Sequence, residues 1–274
     1  MTDSLPHITN EQDAAEAFTK QSHIFDALYA DNPIIQYKRQ RVRAHAGQFL
    51  QPRSHILELN AGTGEDAIYF AQQGHTVHAT DVSTGMLQQL QQKATMFKAG
   101  SSISTELCSF TQLETLTAKG PYNLIFSNFA GLNCTGNLNT VLQSFNNLLL
   151  PGGVATMVIM PPFCLWETLL ALRGNFKNAF RRFNSSKGVW ANVEGIKFLC
   201  WYYKPSYIKK HLPPGFEILS VEGLCAAVPP SYFEGFPARH PQLYKKLTDF
   251  EMKHKNRWPW VCWGDYFIIS IRKN

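Results

Sequence analysis

The chain alternates between short apolar runs and longer segments whose apolar residues recur every three or four positions. The runs HILEL (55–59), TVHATD (76–81), ISTELCSF (103–110), YNLIFSNF (122–129) and VATMVIM (154–160) predict strands. Helical periodicity fills most of the gaps between them. Strands that alternate with helices predict a parallel sheet with helices on both faces and right-handed crossovers.

The regions that flank this alternation differ from it. Residues 10–50 carry helical periodicity, and Pro33 is expected to begin a second helix before the first strand. From 161 to 214 the pattern predicts an insertion, made of an amphipathic helix at 163–183 and an aromatic, strand-like piece at 196–205. The chain is then expected to close with the strand FEILSVEGL, a helix around QLYKKLTDFEMKHK and a last strand, DYFIISIRK.

Composition narrows the classes of protein that fit. The 274 residues are 45% hydrophobic and 17% charged, which favours one α/β domain over a disordered or fibrous chain. The six cysteines form no C-x-x-C pair and no zinc-type spacing, so we expect buried reduced thiols, no metal site and a cytoplasmic location. Because no run of about 18 apolar residues occurs, stable membrane insertion is not expected.

The formal net charge of +6 is spread over several short clusters, such as KRQRVR at 38–43 and KHKNR at 253–257. None of them has the density of a basic arm, so the charge is attributed to solvated helix faces. We therefore do not expect a nucleic-acid partner, although the excess is a modest indication of an acidic or phosphate-bearing one.

The stretch ILELNAGTGEDA (56–67) carries the most specific chemistry. Gly62, Gly64 and Ala67 satisfy G-x-G-x-x-G/A, the pattern of a strand-to-helix turn whose backbone approaches a ligand. In such sheets the ligand lies beyond the carboxyl ends of the strands, so the loops after the first, second and fourth strands should converge. Glu58, near the end of the first strand, offers a carboxylate to a cationic ligand.

These motifs, taken in order, resemble those of the class I S-adenosylmethionine-dependent methyltransferases over residues 50–160. The resemblance rests on ILELNAGTGEDA, on Asp81 at the end of the second strand, and on YNLIFSNF and LLPGGV around strands four and five. It implies a doubly wound, Rossmann-like, seven-stranded α/β sheet, mostly parallel, with DYFIISIRK as an antiparallel last strand. Residues 1–274 would form one methyltransferase domain: a helical cap (1–50), a core (51–160 and 215–274) and a substrate-cap insertion (161–214).

The resemblance also implies S-adenosylmethionine as the cofactor, with S-adenosylhomocysteine as the product. Its methionine part would lie on the glycine loop, Asp81 would accept hydrogen bonds from both ribose hydroxyls, and Met86 would contact adenine. Ser109 and Phe110 lie where the family often has an acidic residue for the adenine amine, so backbone or hydroxyl contacts are expected there. The expected cofactor residues are Glu58, Asn60, Ala61, Gly62, Gly64, Asp81, Val82, Met86, Ser109, Phe110, Asn128 and Phe129, with Tyr29, Tyr37 and Arg41 from the N-terminal helices.

Structural alternatives remain open for these residues. The Glu58 carboxylate could cap amides of its own loop, Asp81 could cap the helix that begins near Ser83, and Asn128 could only hold the turn after strand four. Asn60 replaces the family's commoner glycine, and it either accommodates left-handed backbone or hydrogen-bonds the ligand. Tyr29, Tyr37 and Arg41 could equally be packing or solvated residues.

The acceptor is expected to be a small, largely apolar or aromatic molecule that is methylated on oxygen or carbon. The aromatic insertion would enclose it, with Trp166, Trp201 and Tyr203 as substrate contacts and His211 and His240 as the histidines to test as bases. For both histidines a structural role is the alternative. The sequence SNFAG (127–131) lacks the paired prolines of enzymes that methylate exocyclic amines of bases.

Two other functions stay open at this point. A nicotinamide-dependent oxidoreductase would use the same glycines and Asp81, but Glu58 and the helices before the first strand count against it. A non-catalytic S-adenosylmethionine-binding regulatory protein is the other, since Asn60 and the missing acid near Ser109 depart from the family pattern. For the methyltransferase, a monomer or homodimer is expected.

Overall fold

A computed structural model describes residues 5–169, 171, 174, 176 and 180–274 of the chain. The helices are α1 (Leu5–Tyr29), α2 (Pro33–Gly47), α3 (Glu65–Gln72), α4 (Thr84–Met96), α5 (Leu138–Leu148), α6 (Leu165–Leu169), α7 (Pro205–Lys210), α8 (Phe236–Arg239), α9 (Pro241–His254) and α10 (Trp260–Trp263). The strands are β1 (His55–Leu59), β2 (Thr76–Asp81), β3 (Ile103–Leu107), β4 (Tyr122–Ser127), β5 (Leu149–Ile159), β6 (Val189–Val193), β7 (Ile196–Cys200), β8 (Phe216–Leu224) and β9 (Tyr266–Lys273).

Seven strands form one sheet in the order β3-β2-β1-β4-β5-β9-β8. The pairs from β3 to β5 are parallel, whereas β9 is antiparallel to both of its neighbours, β5 and β8. The strand order reverses between β1 and β4, so the carboxyl ends of β1, β2 and β4 meet at one crevice. The predicted Rossmann-like α/β fold with an antiparallel last strand is confirmed.

Both faces of the sheet are covered by apolar side chains. One buried cluster joins β4, β5 and β9 to α5, with Phe145 and Tyr122 fully buried. The other joins β1, β2 and β4 to α2, α3 and α4, with Phe70 and Phe126 in edge-to-face contact at 5.0 Å. This two-sided burial explains why the central strands read as nearly continuous apolar runs.

The segment 161–214 departs from its predicted secondary structure. Strand β6, which the sequence reading missed, pairs with β7 as a two-stranded hairpin. Of the helix expected at 163–183, the structure contains α6 and a 3-10 segment at Arg181–Lys187, while residues 170, 172, 173, 175 and 177–179 lie outside the described residues. The strand expected at 154–160 begins earlier, at Leu149.

The two N-terminal helices lie against different parts of the core. Helix α1 packs on α4 and on β7, and Asn10 pairs with the backbone of Leu199 and Cys134. Helix α2 begins at Pro33, after Asn32, whose side chain caps the amides of Ile34 and Ile35. Among the described residues, no helix has both the length and the apolarity that crossing a bilayer demands.

Candidate functional site

A cavity lies at the carboxyl ends of β1, β2 and β4 and has a volume of about 870 Å³, including its open mouth. Helix α1 forms one wall and the ends of the three strands form the other. The described lining residues are Glu11, Ala14, Phe18, Phe25, Arg39, Glu58, Asn60, Ala61, Gly62, Thr63, Glu65, Asp66, Asp81, Val82, Met86, Phe110, Asn128, Phe129, Gly131 and Cys134. The volume is in the range of small-molecule and cofactor sites.

The glycine loop is shaped by backbone conformations that few side chains tolerate. Asn60, Gly62 and Gly64 have φ values of 47°, 56° and 81°, all in the left-handed region. A Cβ on Gly62 would meet nothing within 4 Å, so the backbone there faces open space in the cavity. On Gly64 it would lie 2.4 Å from Cγ of Leu90, which places Gly64 against α4 and outside the described cavity lining.

The Glu58 carboxyl group is buried beside the cavity with unused hydrogen-bonding capacity. The residue is 3% exposed, and its Oε2 atom has no hydrogen-bond partner among the residues that the structure describes. Burial and then the charge of Asp66 raise the pKa of Glu58 well above its usual value, although Arg39 and Arg43 act against this shift. A cationic ligand group would supply the missing partner, so this carboxyl group has the chemistry to bind an ammonium group.

Asp81 holds the ends of two loops together. Its Oδ2 accepts the amide hydrogen of Gly62 at 2.9 Å, and its Oδ1 accepts that of Ser83 at 2.9 Å. Burial raises the pKa of Asp81, and the backbone amides of Ser83, Gly62 and Val82 oppose that shift. The cap of helix α4 is provided by the Ser83 hydroxyl, which accepts the amide of Met86. The carboxylate has further lone pairs, so hydroxyl groups of a ligand can still donate to it.

Asp66 is the centre of a polar network at the cavity wall. Its two carboxylate oxygens accept hydrogen bonds from Arg43 Nε at 2.6 Å, Arg39 Nη1 at 3.1 Å and Asn128 Nδ2 at 2.8 Å. The network joins α2, α3 and the end of β4. It holds the Arg39 guanidinium over the Phe129 ring, 4.8 Å from the ring centroid, at the cavity wall.

The turn after β4 is strained where it meets the cavity. Phe129 and Ala130 are consecutive non-glycine residues with φ of 50° and 62°, each in a conformation that costs about 1–3 kcal/mol. Two hydrogen bonds hold the turn: Asn128 Oδ1 accepts the Phe129 amide at 2.8 Å, and Asn60 Nδ2 donates to the Asn128 carbonyl at 2.9 Å. Asn60 also accepts from Ser127 Oγ, so its side chain links β1 to β4.

Ten of the predicted cofactor residues line this cavity, but the three from the N-terminal helices are placed elsewhere. Tyr37 and Arg41 belong to a buried ion network, in which Arg41 pairs with Glu222 at 3.1 Å and with Glu251 at 3.2 Å. Tyr29 packs edge-on against Phe25, outside the described lining. Helix α2 is rotated so that Arg39, two positions from Arg41, faces the cavity instead.

The predicted acceptor residues are also absent from the described lining. The Tyr203 side chain is buried in the core and donates to the Thr135 carbonyl, while Trp201 packs against the same core. Trp166 contacts Phe233. The His211 ring stacks on Tyr207, and His240 precedes α9 near Phe236. The structure thus offers no placement in favour of either histidine as a base.

Ser109 lies just outside the cavity and is joined to it by a residue that the sequence reading missed. Its hydroxyl donates to the carboxylate of Glu11, which lines the cavity from α1. Of the other missed residues, Ala14, Phe18 and Phe25 follow Glu11 at helical spacing on one face. The helical spacing of these residues could be predicted from the sequence, but the surface on which the helix packs could not.

Comparisons with known proteins agree with this geometry. Residues 56–153, from β1 into β5, match the family model described as a methyltransferase domain. A curated relative is the tRNA 5-carboxymethoxyuridine methyltransferase of Escherichia coli (strain K12), 27% identical over 272 residues and covering 96% of each chain. The name of this relative specifies tRNA as its substrate, which counts against the expectation that a nucleic-acid partner is unlikely.

Solved structures share the fold at low sequence identity. The 1,6-didemethyltoxoflavin-N1-methyltransferase of Burkholderia thailandensis, solved with S-adenosylhomocysteine, is 15% identical with a TM-score of 0.58, covering 98% of this chain and 90% of its own. The CcbJ methyltransferase of Streptomyces caelestis is 16% identical with a TM-score of 0.56, covering 85% of this chain and 94% of its own. The matched methyltransferase domain, the strand order and the cavity at its reversal point together support a class I S-adenosylmethionine-dependent methyltransferase.

Proposed function

We propose that the cavity holds S-adenosylmethionine with its methionine part between Glu58 and Arg39. A methionine head group carries one ammonium and one carboxylate; the Arg39 guanidinium would pair with the carboxylate, and the Glu58 carboxyl group would ionise against the ammonium. Support comes from Oε2 of buried Glu58, which has no hydrogen-bond partner in the described part of the chain, and from the Arg39 guanidinium at the cavity wall. Gly62 lets the backbone approach between them.

The rest of the cofactor would extend along the strand ends. Asp81 would bind the ribose hydroxyls, and the apolar side chains of Val82, Met86 and Phe110 would enclose the adenine ring. When bound, the cofactor supplies an activated methyl group on its sulfonium. The protein then orients donor and acceptor in line, which is the main catalytic contribution for such a displacement.

For the acceptor we propose a small planar ring, largely apolar, that is methylated on oxygen or carbon. The single observation that carries this proposal is the aromatic lining of the cavity. Phe129 is fixed by Arg39 on one wall, while Phe18 and Phe25 approach from α1. A flat ring would gain apolar contact on both faces at little entropic cost, because these side chains are already held by helix packing and the Asp66 network.

A nucleoside of tRNA is the second candidate acceptor. The observation in its favour is the E. coli relative that acts on tRNA and matches 96% of both chains. A base turned out of its stack is also a planar ring, and the formal net charge of +6 would favour a polyanionic partner.

A methyl-transfer assay separates the candidates. The purified chain is incubated with S-adenosylmethionine labelled in the methyl group, either with a panel of phenols, quinols and heteroaromatic acids or with total tRNA from cells lacking this gene. We expect label in a small-molecule product, identified by mass spectrometry. Label only in tRNA would replace the small-molecule proposal with the second candidate. Cofactor binding without transfer to either pool would favour a non-catalytic regulatory protein.

A further inference from the structure

Glu11 of α1 places a carboxylate beside Ser109, at the edge of the cavity. The loop after β3 provides a hydroxyl where the family often has an acid for the adenine amine, yet a carboxylate is present in space. Glu11 of α1 reaches this loop and accepts hydrogen bonds from Ser109 Oγ at 2.5 Å and from Thr111 Oγ1 at 2.9 Å. Glu11 also lines the cavity, together with the apolar side chains proposed to enclose adenine.

Helix α1 runs along the cavity with its ends at chemically different places. Glu11, Ala14, Phe18 and Phe25 share one face, and the 14 positions from Glu11 to Phe25 correspond to about 21 Å of helix. Near Phe25, the adjacent Asp26 accepts a hydrogen bond from Thr63 in the glycine loop. The Glu11 end lies at Ser109 and Phe110. The helix therefore extends from the loop proposed for methionine to the slot proposed for adenine.

The Glu11 carboxylate retains capacity for another donor. A carboxylate offers about four lone-pair sites, and the described contacts use the hydroxyl hydrogens of Ser109 and Thr111. These hydroxyls orient the carboxylate at the rim of the cavity. The exocyclic amine of adenine is a hydrogen-bond donor with no acceptor among Val82, Met86 and Phe110 side chains. A hydrogen-bond acceptor at this rim would bind that amine.

We propose that Glu11 is the adenine-recognition residue of this chain, binding the 6-amino group and supplying from α1 the acid that the loop after β3 lacks. This inference rests on the proposed placement of S-adenosylmethionine in the cavity. It makes α1 part of the cofactor site, since this helix carries the recognition group. Ser109 and Thr111 act as positioning residues that hold the carboxylate.

Calorimetric titration with S-adenosylhomocysteine and with its 6-deamino analogue, in which hydrogen replaces the amino group, tests this role. The wild-type chain is expected to bind S-adenosylhomocysteine at least tenfold more tightly than the analogue. Glu11→Ala should bring the two affinities to within about twofold of each other. Glu16→Ala is the matched control: Glu16 is exposed on the same helix and pairs with Lys20, so the preference should be unchanged.

Each other outcome has a definite meaning. A Glu11→Ala variant that loses affinity for both ligands by the same factor would show that Glu11 only tethers α1, and a wild-type chain without preference would overturn the inference directly. If Glu11→Ala does not fold, Glu11→Leu keeps the side-chain volume on α1 without offering an acceptor, and an unchanged preference in that variant would contradict the proposal. Wild-type protein that binds neither ligand would instead refute the placement of the cofactor and, with it, this inference.

Discussion

At the residue scale, the balance of charge around Glu58 has a measurable consequence. Burial and Asp66 raise the pKa of this carboxyl group well above its usual value, so the free protein retains a proton on Glu58 at pH values where an exposed glutamate would be ionised. A ligand ammonium stabilises the carboxylate. Binding should therefore release a proton whenever the pH is below this raised pKa.

The sign of the resulting pH dependence follows. Affinity for S-adenosylhomocysteine should fall as the pH falls through the raised pKa of Glu58, by up to about tenfold per pH unit. In Glu58→Gln the affinity should be weaker at high pH and lose this dependence. Titrations in buffers of different ionisation enthalpy would measure the proton release. An equal pH slope in wild type and variant would show that Glu58 does not meet the ammonium.

Which arginine of α2 lines the cavity, Arg39 or Arg41, could not be predicted from the sequence. Both lie in KRQRVR, but two positions along a helix correspond to opposite faces. Tyr37 and Arg41, four apart, face Glu222 and Glu251, whereas Arg39 and Arg43, also four apart, face Asp66. The sequence indicated a helix near the cofactor; the rotation of that helix depends on acidic partners far away in the chain.

At the element scale, a buried ion cluster joins three parts of the fold. Asp265, before β9, accepts Lys38 of α2 at 2.7 Å and Arg182 of the 161–214 segment at 2.7 Å. Arg182 also pairs with Glu167 of α6. Lys38 and Arg182 are 1% and 3% exposed, so removal of Asp265 would leave two buried cations short of a partner.

Asp265→Asn should therefore reduce the free energy of unfolding by about 3–5 kcal/mol. Asp249→Asn, which removes an exposed pair with Lys245, should change it by less than about 1 kcal/mol. Denaturant titration monitored by circular dichroism provides the comparison. Equal, small effects in the two variants would mean that the cluster does not hold the segment to the core.

The same cluster predicts a loss of stability in acid. Although burial acts in the opposite direction, Lys38 and then Arg182 lower the pKa of Asp265 to about 2, from a usual value of 3.8. A depressed folded-state pKa stabilises the fold above the unfolded value, so this contribution is fully present above about pH 4 and declines toward pH 2. It should be missing from the acid-unfolding curve of Asp265→Asn.

The hairpin of β6 and β7 shows why one element escaped prediction. Its two-residue turn, Glu194-Gly195, has φ values of 50° and 82°, which is the geometry that tight hairpins require. Asparagine or aspartate before glycine is the usual signal for this turn, and glutamate is not. The central strands were predictable because burial on both faces made them apolar throughout, whereas β6 is half exposed and has no such run.

At the scale of the whole molecule, the sequence predicted the fold and the cofactor because both depend on local motifs in a fixed order. Glu58, the glycine loop and Asp81 lie at the carboxyl ends of β1 and β2, and the strand order brings these ends together. The proposed acceptor contacts come from α1, α2 and the turn after β4, which are distant in sequence. The sequence of any one of these segments does not predict the surface that they form together.

The central claim is that the cavity at the reversal of strand order binds S-adenosylmethionine. Calorimetric titration of the wild-type chain with S-adenosylhomocysteine and, in parallel, with NADH tests it most directly. The account predicts micromolar, one-to-one binding of S-adenosylhomocysteine and no binding of NADH. Binding of NADH alone would contradict it and would make the glycine loop a dinucleotide site.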